Sequence, residues 1–185
     1  MSVLNYPICP TDCAGTLPAV DFDLCAPEVH YGEITKIYVA RADADDFTDV
    51  DQLGEWTTRL TQTGTGDDDI RELTVIAELP EPEQSEVSIS GDRSVVGFKQ
   101  FNIDLEIDET NDTNYEFLLT YECDVQTKIW FETADGLLYG GNEGLLGVLR
   151  LNNVIPRDRA EVAKFMGTFK WKSQHSPLRC VSPMA

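Results

Sequence analysis

From Phe101 to Asp108 apolar and polar side chains alternate at every position. Phe101, Ile103, Leu105 and Ile107 fall on one side of an extended chain, and Asn102, Asp104, Glu106 and Asp108 on the other. Successive residues of a strand point to opposite faces, so this pattern specifies one buried face and one that meets water. The run 95–108 is therefore expected to be a long antiparallel strand. The same period returns over 161–173. There Ala163, Phe165, Gly167, Phe169 and Trp171 share a face, opposed by Lys164, Met166, Lys170 and Lys172.

Other strands follow from the same reading. Thr127, Ile129, Phe131 and Thr133 alternate with Lys128, Trp130 and Glu132, and Asp135-Gly136 then supplies a tight hairpin turn. A glycine loop, GGNEG (140–144), leads to a further strand near 145–154. Upstream, Ile34, Lys36, Tyr38 and Ala40 are expected on one face of a strand, with Thr35, Ile37 and Val39 on the other. A strand over 73–79 is stopped by Pro80 and Pro82, and another over 86–91 ends in a Gly91-Asp92 turn. Val50, Leu53, Trp56 and Leu60 recur at helical spacing and predict a short helix over 49–60, with Thr48 and Asp51 resembling a capping box. Thr113 and Glu116 form a second capping box. They open a helix over 112–123 that turns Tyr115, Leu118 and Leu119 toward a sheet. The fold expected is mainly β, an antiparallel β-sandwich or barrel flanked by one α-helix, with Trp56, Trp130 and Trp171 in its core.

Four of the nine prolines lie in the first 30 residues, at Pro7, Pro10, Pro18 and Pro27. Proline there opposes both helix and central strand. The domain plan is thus an extended N-terminal arm (1–30), a β body (31–174) and a polar C-terminal arm (175–185). Such arms become ordered by lying on the body or on a neighbouring subunit. The opening residues lack the basic start and apolar stretch of a signal peptide. No run reaches the about 20 apolar residues of a membrane-spanning helix. A protein made in a cytosol and not bound to membrane is expected.

Charge and chemistry narrow the function. With 33 acidic against 14 basic residues the formal net charge is −19, which disfavours a grip on nucleic acid phosphates or anionic lipid. Cys9, Cys13, Cys25 and His30 contain the donors of a Cys3His set, yet their spacing fits no usual zinc template. Cys123 and Cys180 read as small apolar residues. The aspartates at Asp43, Asp45, Asp46 and 67–69 lack the EF-hand glycine and glutamate positions and read as solvated loops. Neither histidine, His30 or His175, has a sequence partner for catalysis. The sequence contains no G-x-S-x-G, Walker or H-E-x-x-H motif. A glycosidase pair such as Glu106 with Glu132 carries little weight among so many acids. No enzyme activity, metal or cofactor is expected.

Several stretches together suggest a family. YGEITKIYVARADADDFTDVDQLGEWTTRL, IRELTVIAELPEPE, TNYEFLL, KIWFETADGLLYGGNEG and the final GTFKWKS with its following SP resemble virion structural proteins of tailed phages and prophages, especially those of Bacteroidetes hosts. They look like tail tube, or major tail, proteins. The resemblance implies a β-sandwich or barrel subunit with one helix, assembled as stacked hexameric rings. Strands or hairpins would join around a lumen, and arms would lock ring to ring. It places the protein in the virion tail, with self and other tail or connector proteins as partners and DNA passing without tight binding. Strands 95–108 and 161–173 are the lumen candidates, although Lys164, Lys170 and Lys172 suit an acidic neighbouring subunit better than a lumen. The expected assembly interface is Gly140, Gly141, Asn142, Glu143, Lys164, Lys170 and Lys172, with bulky replacements at Gly140 or Gly141 sparing the monomer. Alternatives are a capsid decoration protein, a head–tail connector or terminator, and a carbohydrate-binding β-sandwich.

Overall fold

The computed structural model describes residues 20, 29–30, 32–89, 93–122, 125–158 and 160–184. The N-terminal arm lies almost wholly outside the described residues. So do Cys9, Cys13, Cys25, Cys123 and the Gly91-Asp92 turn.

Among the described residues nine strands and two helices follow in order: β1 (Ile34–Arg41), α1 (Leu53–Arg59), β2 (Ile70–Glu78), β3 (Glu83–Ile89), β4 (Arg93–Ile107), α2 (Asp112–Thr120), β5 (Val125–Thr133), β6 (Leu137–Tyr139), β7 (Leu145–Val154), β8 (Lys164–Ser173) and β9 (Arg179–Val181). Six of them, in the order β1-β2-β4-β8-β7-β5, close into an antiparallel barrel when β5 pairs back onto β1. The fold is mainly β, as the alternation requires. β3 extends one edge of β4 beyond the barrel, while β6 and β9 add a small flap at β5.

The inner core follows the two sequences that alternate most strictly. Phe101, Ile103, Leu105 and Ile107 of β4 face inward with Phe165, Phe169 and Trp171 of β8, and Leu145, Leu149 and Leu151 of β7 complete that side. Gly167 of β8 pairs with Leu105 on one flank and Leu151 on the other. A Cβ at Gly167 would lie 2.4 Å from Leu151 Cδ2 and 2.7 Å from the Arg150 carbonyl, so only glycine leaves room for both leucines. β1 contributes Ile34, Ile37 and Val39 to the same core. This corrects the expectation that Ile34 shares a face with Lys36 and Tyr38. The register shifts between Ile34 and Lys36 against both neighbouring strands, and this irregularity returns Ile34 to the inside.

The helices differ from their predicted caps. α1 starts at Leu53 after Gln52, and Thr48 lies outside it, its backbone N–H donating to the Glu55 carboxylate at 3.1 Å. α2 is capped by Asn111, whose side-chain oxygen accepts the Asn114 backbone N–H at 2.8 Å, so Thr113 is not the cap. Its buried stripe is Leu118 flanked by half-buried Phe117 and Tyr121, whereas Tyr115 and Leu119 are exposed. The Tyr121 carbonyl accepts the Leu151 N–H at 3.0 Å, which ties the helix end to β7.

Two glycines give opposite expectations. Gly167→Val should lower unfolding stability by about 1–3 kcal/mol through overpacking. Gly54→Ala, an exposed helical position with open space around it, should raise it by up to about 1 kcal/mol. Urea titration followed by tryptophan fluorescence checks both.

Candidate functional site

β1 and β5 are buried on both faces. Outside the barrel Tyr38, Ala40 and Trp130 meet a second core made by Ala44, Phe47, Val50, Trp56, Ile70 and Leu138. Phe47 stacks on Trp56 at 4.5 Å between ring centroids, and Trp130 meets Trp56 edge-on at 5.7 Å. The indole of Trp56 donates to the Val50 carbonyl at 2.8 Å, so the polar edge of the ring is satisfied where it is buried. The segment between β1 and β2 is thereby held as a cover over the outer wall.

The glycine loop completes that cover. Gly140, Gly141 and Gly144 all have positive φ, at 135°, 65° and 70°. A Cβ at Gly140 would lie 2.5 Å from Trp130 Cδ1, and one at Gly144 would lie 2.7 Å from Trp130 Cζ2. The Trp130 indole donates to the Gly141 carbonyl at 2.8 Å. Asn142 then binds three backbone groups of the cover: its side-chain oxygen accepts the Val50 N–H at 3.0 Å, its side-chain N–H donates to the Thr48 carbonyl at 3.1 Å, and its backbone carbonyl accepts the Phe47 N–H at 2.9 Å. Gly140, Gly141 and Asn142 are thus held by contacts within one chain. Contrary to the expectation that bulky residues at Gly140 or Gly141 spare the monomer, positive φ at both and the Trp130 ring against Gly140 make such replacements strain the fold itself. Glu143 alone of the four projects into solvent.

The C-terminal segment lies on the same wall. β9 pairs with β6, the Ser182 N–H donates to the Gly136 carbonyl at 2.8 Å, and Met184 packs on the outer core. Beneath it the Glu132 carboxylate is buried. It accepts the Tyr38 hydroxyl at 2.8 Å and the Ser182 hydroxyl at 3.1 Å. Burial, and then the bond to Glu132, push the Tyr38 phenol well above its ordinary value. At the junction with the N-terminal arm, His30 and Asp135 make a side-chain contact at 2.8 Å. The Thr133 hydroxyl, and then His30, hold the Asp135 carboxyl below its ordinary range.

The lysines of β8 occupy its outward face. Lys164 pairs with Glu106 at 2.6 Å and is held above its ordinary value by that bond. Lys170 and Lys172 are exposed and stand opposite Asn102 and Gln100 of β4. The acidic loops tie one another and neighbouring elements in place. Arg41 reaches both Asp43 and Asp67, Asp68 accepts the Asp45 N–H at 2.7 Å, and Lys128 bridges Asp46 and the Ala44 carbonyl. Among the described residues no group of His, Cys, Asp and Glu is arranged to hold a metal ion. Glu106 and Glu132 do not form a pair of facing carboxylates, since Glu106 is bound to Lys164 and Glu132 lies under the C-terminal segment.

The sequence predicts the two strands either side of the Gly91-Asp92 turn, but not that they leave the barrel together as a ribbon. One edge of β4 is paired with β2 over Asp104–Glu106 and with β3 from Arg93 to Gln100; its other edge meets β8 only from Lys99 to Ile107. Among the described residues, 93–98 of β4 therefore pair with β3 alone, and β3 pairs only with β4. Phe98 on this ribbon is 57% exposed. β3 opens directly after Pro82 with Glu83, Gln84, Ser85 and Glu86, none of them a β-branched or aromatic residue, so its early start has no signal in the sequence.

Gly144→Ala should destabilise the fold by about 1–3 kcal/mol, through both the positive φ and the contact with Trp130, and should red-shift tryptophan emission. Asn142→Ala should cost a similar amount, about 1–3 kcal/mol, by orphaning backbone groups. Above about pH 10 the unfolded chain loses phenolic protons that folded Tyr38 retains, so stability falls as pH rises; Tyr38→Phe should flatten that alkaline limb in thermal melts.

No protein-family model matches this sequence, and no curated protein matches it.

Proposed function

We propose that this protein is a structural subunit of a tailed-phage virion that self-assembles into rings stacked as a tail tube. The observation that carries the reading is the β3–β4 ribbon. A two-stranded ribbon is marginally stable alone in water, and an open strand edge is a template for another chain. This one leaves the barrel with one edge of each strand unpaired and Phe98 exposed among the described residues. Pairing with the same ribbon of neighbouring copies satisfies those edges and builds a continuous sheet around a ring.

The charge supports the same reading. A net −19 repels phosphates, so DNA would pass through such a ring without sticking. Similar charges also repel one another between copies, so salt that shortens the screening distance to about 10 Å at 0.1 M favours assembly. The rigid clasp of the glycine loop and the C-terminal segment would keep the subunit's shape constant through assembly.

Negative-stain electron microscopy of the purified protein, at rising concentration and from low to moderate salt, should show rings and tubes. Monomers alone under all these conditions would exclude the reading. Rings that never stack, with antibody labelling confined to the neck or capsid of virions, would favour the connector or decoration alternative.

A further inference from the structure

The register of the barrel wall sorts its outward charges by strand. On β2 and β4, Glu78 stands opposite Asp104, and Ile76 opposite Glu106. On β8, Lys170 stands opposite Asn102 and Lys172 opposite Gln100. The β2–β4 flank therefore carries carboxylates and the outer half of β8 carries ammonium groups. An open groove of about 550 Å³ lies on the acidic side, lined by Glu33, Ile76, Glu78, Asp104, Glu106 and Met166 among others. Lys164 already occupies Glu106. Among the described residues no ion pair engages Glu78, Asp104, Lys170 or Lys172. Ile76 is 52% exposed and Met166 38%, so the groove floor also offers apolar surface that the stems of long cationic side chains cover well.

We infer that this groove is the seat for Lys170 and Lys172 of a second copy of the chain. The inference rests on the self-assembly reading and names the side-to-side contact within it. β4 and β8 are neighbours in the wall, and Asp104 stands opposite Thr168, two residues from Lys170, so the acidic and lysine flanks lie side by side on one face. Two copies that meet through this face offer lysines and carboxylates to each other reciprocally. The occupant is set by charge complementarity: in a chain of net −19, Lys170 and Lys172 form an exposed cationic pair on the same wall as the groove that would receive them. It is a contact distinct from ribbon pairing, which runs through backbone edges of β3 and β4.

Charge reversal tests it. Lys170→Glu with Lys172→Glu makes both flanks acidic, and Glu78→Lys with Asp104→Lys makes both more basic. Each double variant alone should need about tenfold or more protein to associate in sedimentation velocity at 0.1 M salt, and an equimolar mixture should regain wild-type association. Circular dichroism melts check folding. Should a reversed variant not fold, Lys170→Gln with Lys172→Gln serves in its place, with the same loss of association expected. Variants that assemble like wild type overturn this inference and leave the assembly reading standing. A mixture that stays dissociated also overturns it. Wild-type protein that remains monomeric throughout overturns both.

Discussion

Burial of β1 and β5 on both faces is the constraint on which the rest of the structure depends. A six-stranded barrel needs only an inner core, yet here the closing pair also carries Tyr38 and Trp130 on its outer side. Two large aromatic side chains facing out demand a cover, and burying one such side chain is worth about 1.5–3 kcal/mol. Three separate stretches answer the demand: the β1–β2 segment with α1, the glycine loop and the C-terminal residues. Each is far from the others in sequence, and each is fixed by hydrogen bonds to the same patch. The N–H and C=O groups that these irregular stretches would otherwise leave buried are satisfied by Asn142, Trp130 and Ser182.

How much of this was legible follows from what kind of information each element carries. β4 from Phe101 to Ile107 and β8 along its length alternate without interruption, so their inner faces were readable residue by residue. β5 was readable as a strand, but Lys128, Trp130 and Glu132 do not look like a buried face. Trp130 lies in a core as expected, but it and Glu132 are buried on the outer side because distant segments lie over them, and period-two patterning holds no trace of that cover. Ile34 was misplaced because a bulge changes parity locally, and nothing in the residues around Thr35 announces it. The helix caps shifted by a few residues because Asn111 competes with Thr113 for the same role and has the better-placed side chain. Gly140 and Gly141 read in the sequence as an assembly contact; the positive φ values and the Trp130 indole of the preceding strand, which packs on Gly140 and Gly144, give the loop a role inside the fold that spacing alone does not reveal.

The wall opposite the cover presents a different physical situation. Outward residues of β2, β4 and β8 are polar or charged, with isolated apolar members such as Ile76 and Met166. The molecule therefore has one side whose contacts are internally completed and one side whose charges and strand edges are not. Exposed ion pairs contribute little to a monomer's stability, so the placement of acids and lysines on this wall has little to do with holding the barrel together.

The junction of ribbon and barrel has a mechanical consequence. β4 is a single strand of 15 residues, about 50 Å if fully extended, shared between the two. The register against β3 slips between Gln84 and Glu86, where β4 has one residue more than its partner, and Gly97 sits at that point against Ser85. A bulge bends and twists the strand that carries it. The ribbon is therefore a lever whose tilt is set at one elbow, while its covalent continuity with Phe101 and Ile103 anchors it in the inner core. Load applied along the ribbon passes into the inner core as tension on one strand, and the Ser85 hydroxyl, which donates to the Phe98 carbonyl at 3.0 Å, ties the two strands at the elbow.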